Sequence, residues 1–175
     1  DGETVSISPT ILVPASDTIP PTASAPVSIT ADTDSGDCFA TITDIGSPTF
    51  SDNCLIGTVT NDKPGDNLYP KGVTSVTWFI TDHVSNVTTV TQTILVIDNE
   101  LPSLAIPADV NSTNCSLVLS DPDSDDNCDP APTITKSIPD GYIFPSGETA
   151  VIWQAQDSSS NITSAVQLIT ITDNT

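Results

Sequence analysis

Cationic residues are almost missing from this chain. Three Lys and Arg stand against 23 Asp and Glu in 175 residues, a formal net charge of −20. Binding phosphates requires a basic surface, so nucleic acid is excluded as a partner and anionic lipid is disfavoured. Methionine is absent, so residue 1 is expected to be a processed or excerpted end, not a translation start. No apolar run approaches the roughly 20 residues of a spanning helix, so no membrane insertion is expected. Glycine-rich phosphate loops and the G-x-S-x-G nucleophile elbow are missing too. His83, the single histidine, falls in an expected turn, so an enzyme is the weakest reading.

What remains is rich in Val, Ile and Thr, interrupted by Pro, Gly, Asn and Asp. Fifteen prolines and a hydrophobic share of 37% favour short strands and turns, hence an all-β chain. The strand signals lie at 27–31, 39–42, 57–60, 75–80 and 88–97. A shift of 75 positions puts Trp78 on Trp153, Asp82 on Asp157, Asn86 on Asn161 and Gln92 on Gln167. Asp52-Asn53-Cys54 matches Asp126-Asn127-Cys128 at an offset of 74, and Cys38 matches Cys115 at 77. Small differences in offset are what loops of unequal length produce.

The repeat divides the chain into residues 17–98 and 99–175, preceded by residues 1–16. That leading segment reads as the trailing strand of an earlier copy or as an arm donated to a neighbouring molecule. Each copy suits a tandem immunoglobulin-like β-sandwich. Trp78 and Trp153 are expected in the cores, each indole N–H finding a backbone carbonyl. Four Cys in a small acidic all-β chain favour disulfides over zinc. Of the three pairings, the repeat favours Cys38–Cys54 and Cys115–Cys128, one bond per copy, each worth about 3 kcal/mol in the chain-entropy model.

Several blocks together form a family pattern. They are Asp17…Pro21, Gly36-Asp37-Cys38, Asp52-Asn53-Cys54, Tyr69-Pro70-Lys71-Gly72 and Asp82…Ser85-Asn86, with Asp126-Asn127-Cys128, Phe144-Pro145-Ser146-Gly147 and Asp157…Ser160-Asn161 in the second copy. The chain resembles the hyalin-repeat (HYR) domain family, notably its versions in long surface proteins of Bacteroidetes. The resemblance implies an extracellular, cell-surface spacer or adhesive module, as in type IX-secreted adhesins and gliding-motility filaments. Its partners would be neighbouring repeats of the same array and a surface polysaccharide or protein ligand. Many relatives carry a second disulfide, whose positions here hold Ala25 and Val90 in one copy and Ile106 and Ala165 in the other. Packing is expected to replace that bridge. The family's Gly before Asn86 and Asn161 is Ser in both copies.

No cofactor is required by any of these motifs, and calcium is the ion the acidic loops could take. Asp121, Asp123 and Asp125 have the spacing of a calcium loop, with Asp126 and Asp129 close behind, but Asp126 and Pro132 stand where an EF-hand needs Gly and Glu. A looser oxygen cage stays open there. The linker Asp98-Asn99-Glu100 is a second candidate, to which Asp52 or Asp82 would contribute if their loops reach it. Thr18, in Asp17-Thr18-Ile19, resembles a bacterial O-glycosylation acceptor, and Asn86, Asn111, Asn114 and Asn161 head N-glycosylation sequons. Two alternatives stand beside the adhesive array: an accessory binding module of a secreted enzyme, and a filament subunit exchanging strands through residues 1–16.

Overall fold

The computed structural model describes residues 17–172, and the expectations for residues 1–16 lie outside them. Twelve strands and no helix form among the described residues. The first eight are β1 (Thr22–Ser24), β2 (Ile29–Asp32), β3 (Phe39–Thr41), β4 (Thr49–Ser51), β5 (Ile56–Asn61), β6 (Leu68–Pro70), β7 (Gly72–Asp82) and β8 (Val87–Ile97). The rest are β9 (Val110–Ser112), β10 (Thr133–Lys136), β11 (Gly147–Gln156) and β12 (Ile162–Ile171). Two four-stranded sheets run in the orders β2-β8-β7-β5 and β10-β11-β12-β9, and β1-β4 and β3-β6 form small pairs. The fold is all-β, as the Val, Ile and Thr content implies.

The chain condenses into two compact units. One holds the described residues 17–27, 46–62 and 76–92; the other holds 28–45, 63–75 and 93–172, and so includes parts of both sequence copies. In the first unit, alternation along β7 turns Val76, Trp78, Ile80 and Asp82 inward. β5 pairs antiparallel with β7 and bulges between Ile56 and Thr58. Gly57 is required at that bulge, because a Cβ there would sit 2.7 Å from the Asp82 carbonyl oxygen.

In the second unit, Val151, Trp153, Ile169, Ile171 and Phe144 form a buried cluster against which Leu104, Ile106, Val110 and Leu119 pack. Ile106 thus packs against the core, as expected of the apolar residue at that position. Parallel edge strands recur: β2 runs alongside β8, and β9 alongside β12.

The tryptophans are buried as expected, but their partners are not carbonyls of the main chain. Trp78 Nε1 donates to Gln92 Oε1 at 3.2 Å, and Trp153 Nε1 to Gln167 Oε1 at 3.1 Å. Each glutamine then donates onward, Gln92 to Val27 O and Gln167 to Ala108 O, both at 2.8 Å. A buried indole N–H needs an acceptor, and on a neighbouring strand the amide can serve it and the incoming edge strand together.

Candidate functional site

The chemistry of the chain gathers at one turn that occurs twice. Asp82 closes β7 with its side chain turned inward, only 3% exposed. Its Oδ1 accepts from the Val84 and Asn86 N–H groups at 2.9 and 2.8 Å, and its Oδ2 from Asn86 Nδ2 at 2.7 Å. Asp157 repeats this with Ser159 N–H, Asn161 N–H and Asn161 Nδ2 at 2.9, 2.7 and 2.8 Å. Ser85 and Ser160 sit at φ of 76° and 74°, so each serine adopts the left-handed conformation that glycine takes most readily. The Asn86 and Asn161 amides also donate to the main-chain oxygens of Asp17 and Asp98, at 3.3 and 3.2 Å. These two sequon asparagines therefore hold the turn together.

Each turn is met by two more aspartates. Ligand oxygens of Asp17, Asp52 and Asp82 lie within 4.8 Å of one another, as do those of Asp98, Asp126 and Asp157. One oxygen of Asp52 and one of Asp126 accept from the N–H two residues ahead, Cys54 at 3.0 Å and Cys128 at 2.9 Å. The other oxygens, Asp52 Oδ1 and Asp126 Oδ1, are buried without a hydrogen-bond partner, as is Asp17 Oδ2. A buried carboxylate oxygen with no donor is costly. Burial pushes the Asp82 carboxyl up, but the Asn86 amide and the Asn86 and Val84 N–H groups outweigh it, and it is held below its ordinary value. Asp17 is lowered by the Ile19 N–H and by Asn53.

The second trio is set into a wider junction, all of it in one compact unit. Lys71 Nζ lies 3.5 Å from Asp98 Oδ2 and 2.6 Å from Ser159 Oγ. Asn127 Nδ2 donates to Asp37 O at 2.7 Å, and the Glu100 carboxylate accepts from Gly36 N–H at 2.9 Å and Ser35 Oγ at 3.0 Å. Asn99 Nδ2 donates to Asp32 Oδ1 at 2.7 Å.

Here the expected disulfides are corrected. Cys38 is bonded to Cys128, with Cα atoms 4.9 Å apart, while Cys54 and Cys115 are free and exposed. The Asn127 contact holds the Asp126-Asn127-Cys128 turn against the Gly36-Asp37-Cys38 turn, so the bridge crosses from one sequence copy to the other. Equivalent positions in a repeat can bond to the next copy as readily as within one, and nearness in sequence does not distinguish the two.

The calcium candidates divide. Asp98 belongs to a trio, whereas Asn99 and Glu100 are engaged with Asp32 and the Ser35-Gly36 turn. Asp52 and Asp82 come together around Asp17, not at the Asp98 linker. Asp121, Asp123 and Asp125 are exposed, and none is in a trio among the described residues. Asp123 and Asp125 instead lend their carbonyls to Ala105 and Ser103. Sequence reasoning left Asp17 and Asp157 out of the site and placed Asp126 with the 121–125 run instead of with Asp98 and Asp157. Their recurrence at matching positions in both copies was the available signal, and the 121–125 run has no counterpart in the first copy. Thr18 and His83 are exposed.

An all-β chain of two sequence copies, each carrying the same Asp-Asn turn, is the class defined by this geometry. Comparison with known proteins supports a hyalin-repeat-like family. The chain is 30% identical over 178 residues to Hyalin of Lytechinus variegatus, covering 94% of this chain and 33% of that protein. It is 29% identical over 188 residues to Hyalin of Strongylocentrotus purpuratus, covering 98% of this chain and 15% of that one. The chain thus spans a third or less of the curated relatives it matches. The type IX setting finds no support in them. No family model matches the chain. Among solved structures, Drosophila N-cadherin EC1-4 aligns with a TM-score of 0.42 at 14% identity, covering 90% of this chain and 50% of that one. Extracellular cadherin domains 3-6 of protocadherin gamma B2 align with a TM-score of 0.38 at 16% identity, covering 88% and 47%. No helix among the described residues is long and apolar enough to cross a membrane.

Proposed function

We propose that this chain is a structural, adhesive segment of a long extracellular repeat protein, whose copies are tied end to end and stiffened by a divalent cation at each acidic trio. The observation that carries the reading is the Cys38–Cys128 bridge from one copy to the next, flanked by the Asn127–Asp37 and Glu100–Gly36 hydrogen bonds. A disulfide suits an oxidising, extracellular compartment. Similarity to hyalin across nearly the whole chain supports an array, and so does a charge of −20, which keeps extended copies soluble.

Calcium fits the trios on the chemistry of their donors. Asp17, Asp52 and Asp82, and likewise Asp98, Asp126 and Asp157, offer hard carboxylate oxygens, some buried with no donor. A bound cation would neutralise the mutual repulsion of three carboxylates. This chain's residues supply the frame: Asn86 and Asn161 fix the central aspartate, and the Cys54 and Cys128 N–H groups orient the flanking one. Calorimetric titration of the EDTA-treated chain tests the reading. Calcium-dependent heat that disappears in Asp82→Asn and Asp157→Asn together supports it, and no binding below millimolar calcium removes the cation from the proposal.

A further inference from the structure

The two unpaired cysteines occupy the positions whose equivalents are bonded. Cys54 corresponds to Cys128 in the repeated Asp-Asn-Cys block, and Cys115 corresponds to Cys38. The bond that forms is between a first-copy Cys38 and a second-copy Cys128. By the same rule, Cys54 requires a Cys38-type partner on the copy before it, and Cys115 a Cys128-type partner on the copy after it.

The surroundings of both thiols agree with this. Cys54 lies beside a trio built like that of Cys128, with its N–H on Asp52 as the Cys128 N–H is on Asp126. Asn53 corresponds to Asn127, which reaches across to Asp37 in the closed junction; in the first copy its amide falls back on Asp17 at 3.2 Å. The apolar side chains of Ile19, Leu55, Val84 and Val87 near that turn are 58%, 73%, 49% and 50% exposed. Exposed apolar groups beside a polar trio mark a surface built to be covered. The carbonyl of Cys115 accepts from Phe144 N–H, and that of Cys38 from Lys71 N–H, so each cysteine is held against the segment that carries its copy's aromatic-Pro-x-Gly block.

We infer that Cys54 and Cys115 are the two halves of further copy-to-copy disulfides, so that every junction of the array is bridged and the occupant of each open face is another copy of this repeat. The inference rests on the array reading and adds to it a specific covalent connectivity. Bond formation removes a hydrogen from each thiol, and the electron pair passes to an external disulfide, which is reduced to two thiols. Oxidised glutathione supplies that oxidant in the test.

A double chain tests the connectivity. Residues 17–175 are fused directly after Thr172 of a complete first chain, which puts Asp17 where Asp173 stood and keeps the linker in register. After oxidation by glutathione disulfide, peptide mapping is expected to find Cys115 of the first half bonded to Cys54 of the second, with alkylation of both thiols lost. Cys115→Ser in the first half should leave that Cys54 fully alkylatable. The inference is overturned if both thiols still alkylate while the Cys38–Cys128 bonds form and circular dichroism stays native, or if either pairs elsewhere. Small-angle scattering of the same fusion separates the two claims. Growth in maximum dimension without the bond defeats the bridge and leaves the array standing, whereas halves that fold back on each other defeat the array.

Discussion

Around Asp157 the turn and the linker carbonyl reproduce what surrounds Asp82, and the flanking Asp126, like Asp52, accepts from the N–H two residues ahead. The neighbours differ. Asp98 has the Lys71 ammonium at 3.5 Å and a disulfide beside it, whereas Asp17 is met by Asn53 and the free Cys54. Among the described residues the first trio has no counterpart of Lys71, Asp37 or Cys38. Turn chemistry is therefore a property of each copy, while the covalent link is a property of a pair of copies.

The largest way to break this contrast is through the bridge. Cys38→Ser opens a loop spanning 90 residues, a loss of about 4.6 kcal/mol in the chain-entropy model. Cys54→Ser and Cys115→Ser are expected to leave guanidinium unfolding of this chain unchanged. Calcium should act next. At a free concentration a hundredfold above its Kd, one occupied site raises stability by about 2.7 kcal/mol, seen as a higher Tm than in EDTA. Lys71→Ser removes the ammonium that competes at Asp98 and is expected to tighten calcium binding at the second trio, leaving the first unchanged in calorimetry.

Acid sharpens the comparison from the other side. Asp82 and Asp17 have folded pKa values held below their unfolded ones. The stability they contribute is complete above the unfolded carboxylate pKa and is lost as pH falls through the lower folded value. Asp82→Asn should flatten that acid limb when Tm is followed against pH. The smallest effect belongs to the turns. Ser85→Gly and Ser160→Gly relieve a left-handed backbone at the cost of unfolded-state entropy, a net gain of about 0.5 kcal/mol each in thermal melts.

How much of this was legible in the residues varied with the physics involved. Long strands such as β7 and β8 announced themselves through Val, Ile and Thr. The three-residue strands β1, β4 and β6 did not, because short pieces with Pro nearby carry no period of their own. The tryptophan cores could be read, but not their glutamine partners, since an acceptor on a neighbouring strand leaves no mark in local sequence. The trios are scattered over three loops each, so only their recurrence in both copies could have marked them. The dense 121–125 run drew attention by spacing, yet exposed carboxylates in a row repel one another and are best left in water.

Connecting two copies by the backbone at residues 98–102 and also by Cys38–Cys128 has a geometric consequence. A single tether is a swivel, free to turn about its own backbone dihedrals. A second covalent tether set apart from the first removes that rotation, because twisting would have to stretch one of them. The Gly36-Asp37-Cys38 and Asp126-Asn127-Cys128 turns are thereby held together by more than the main chain that runs between them. Reduction would leave the polypeptide unbroken and those two turns held across by the Asn127–Asp37 hydrogen bond alone.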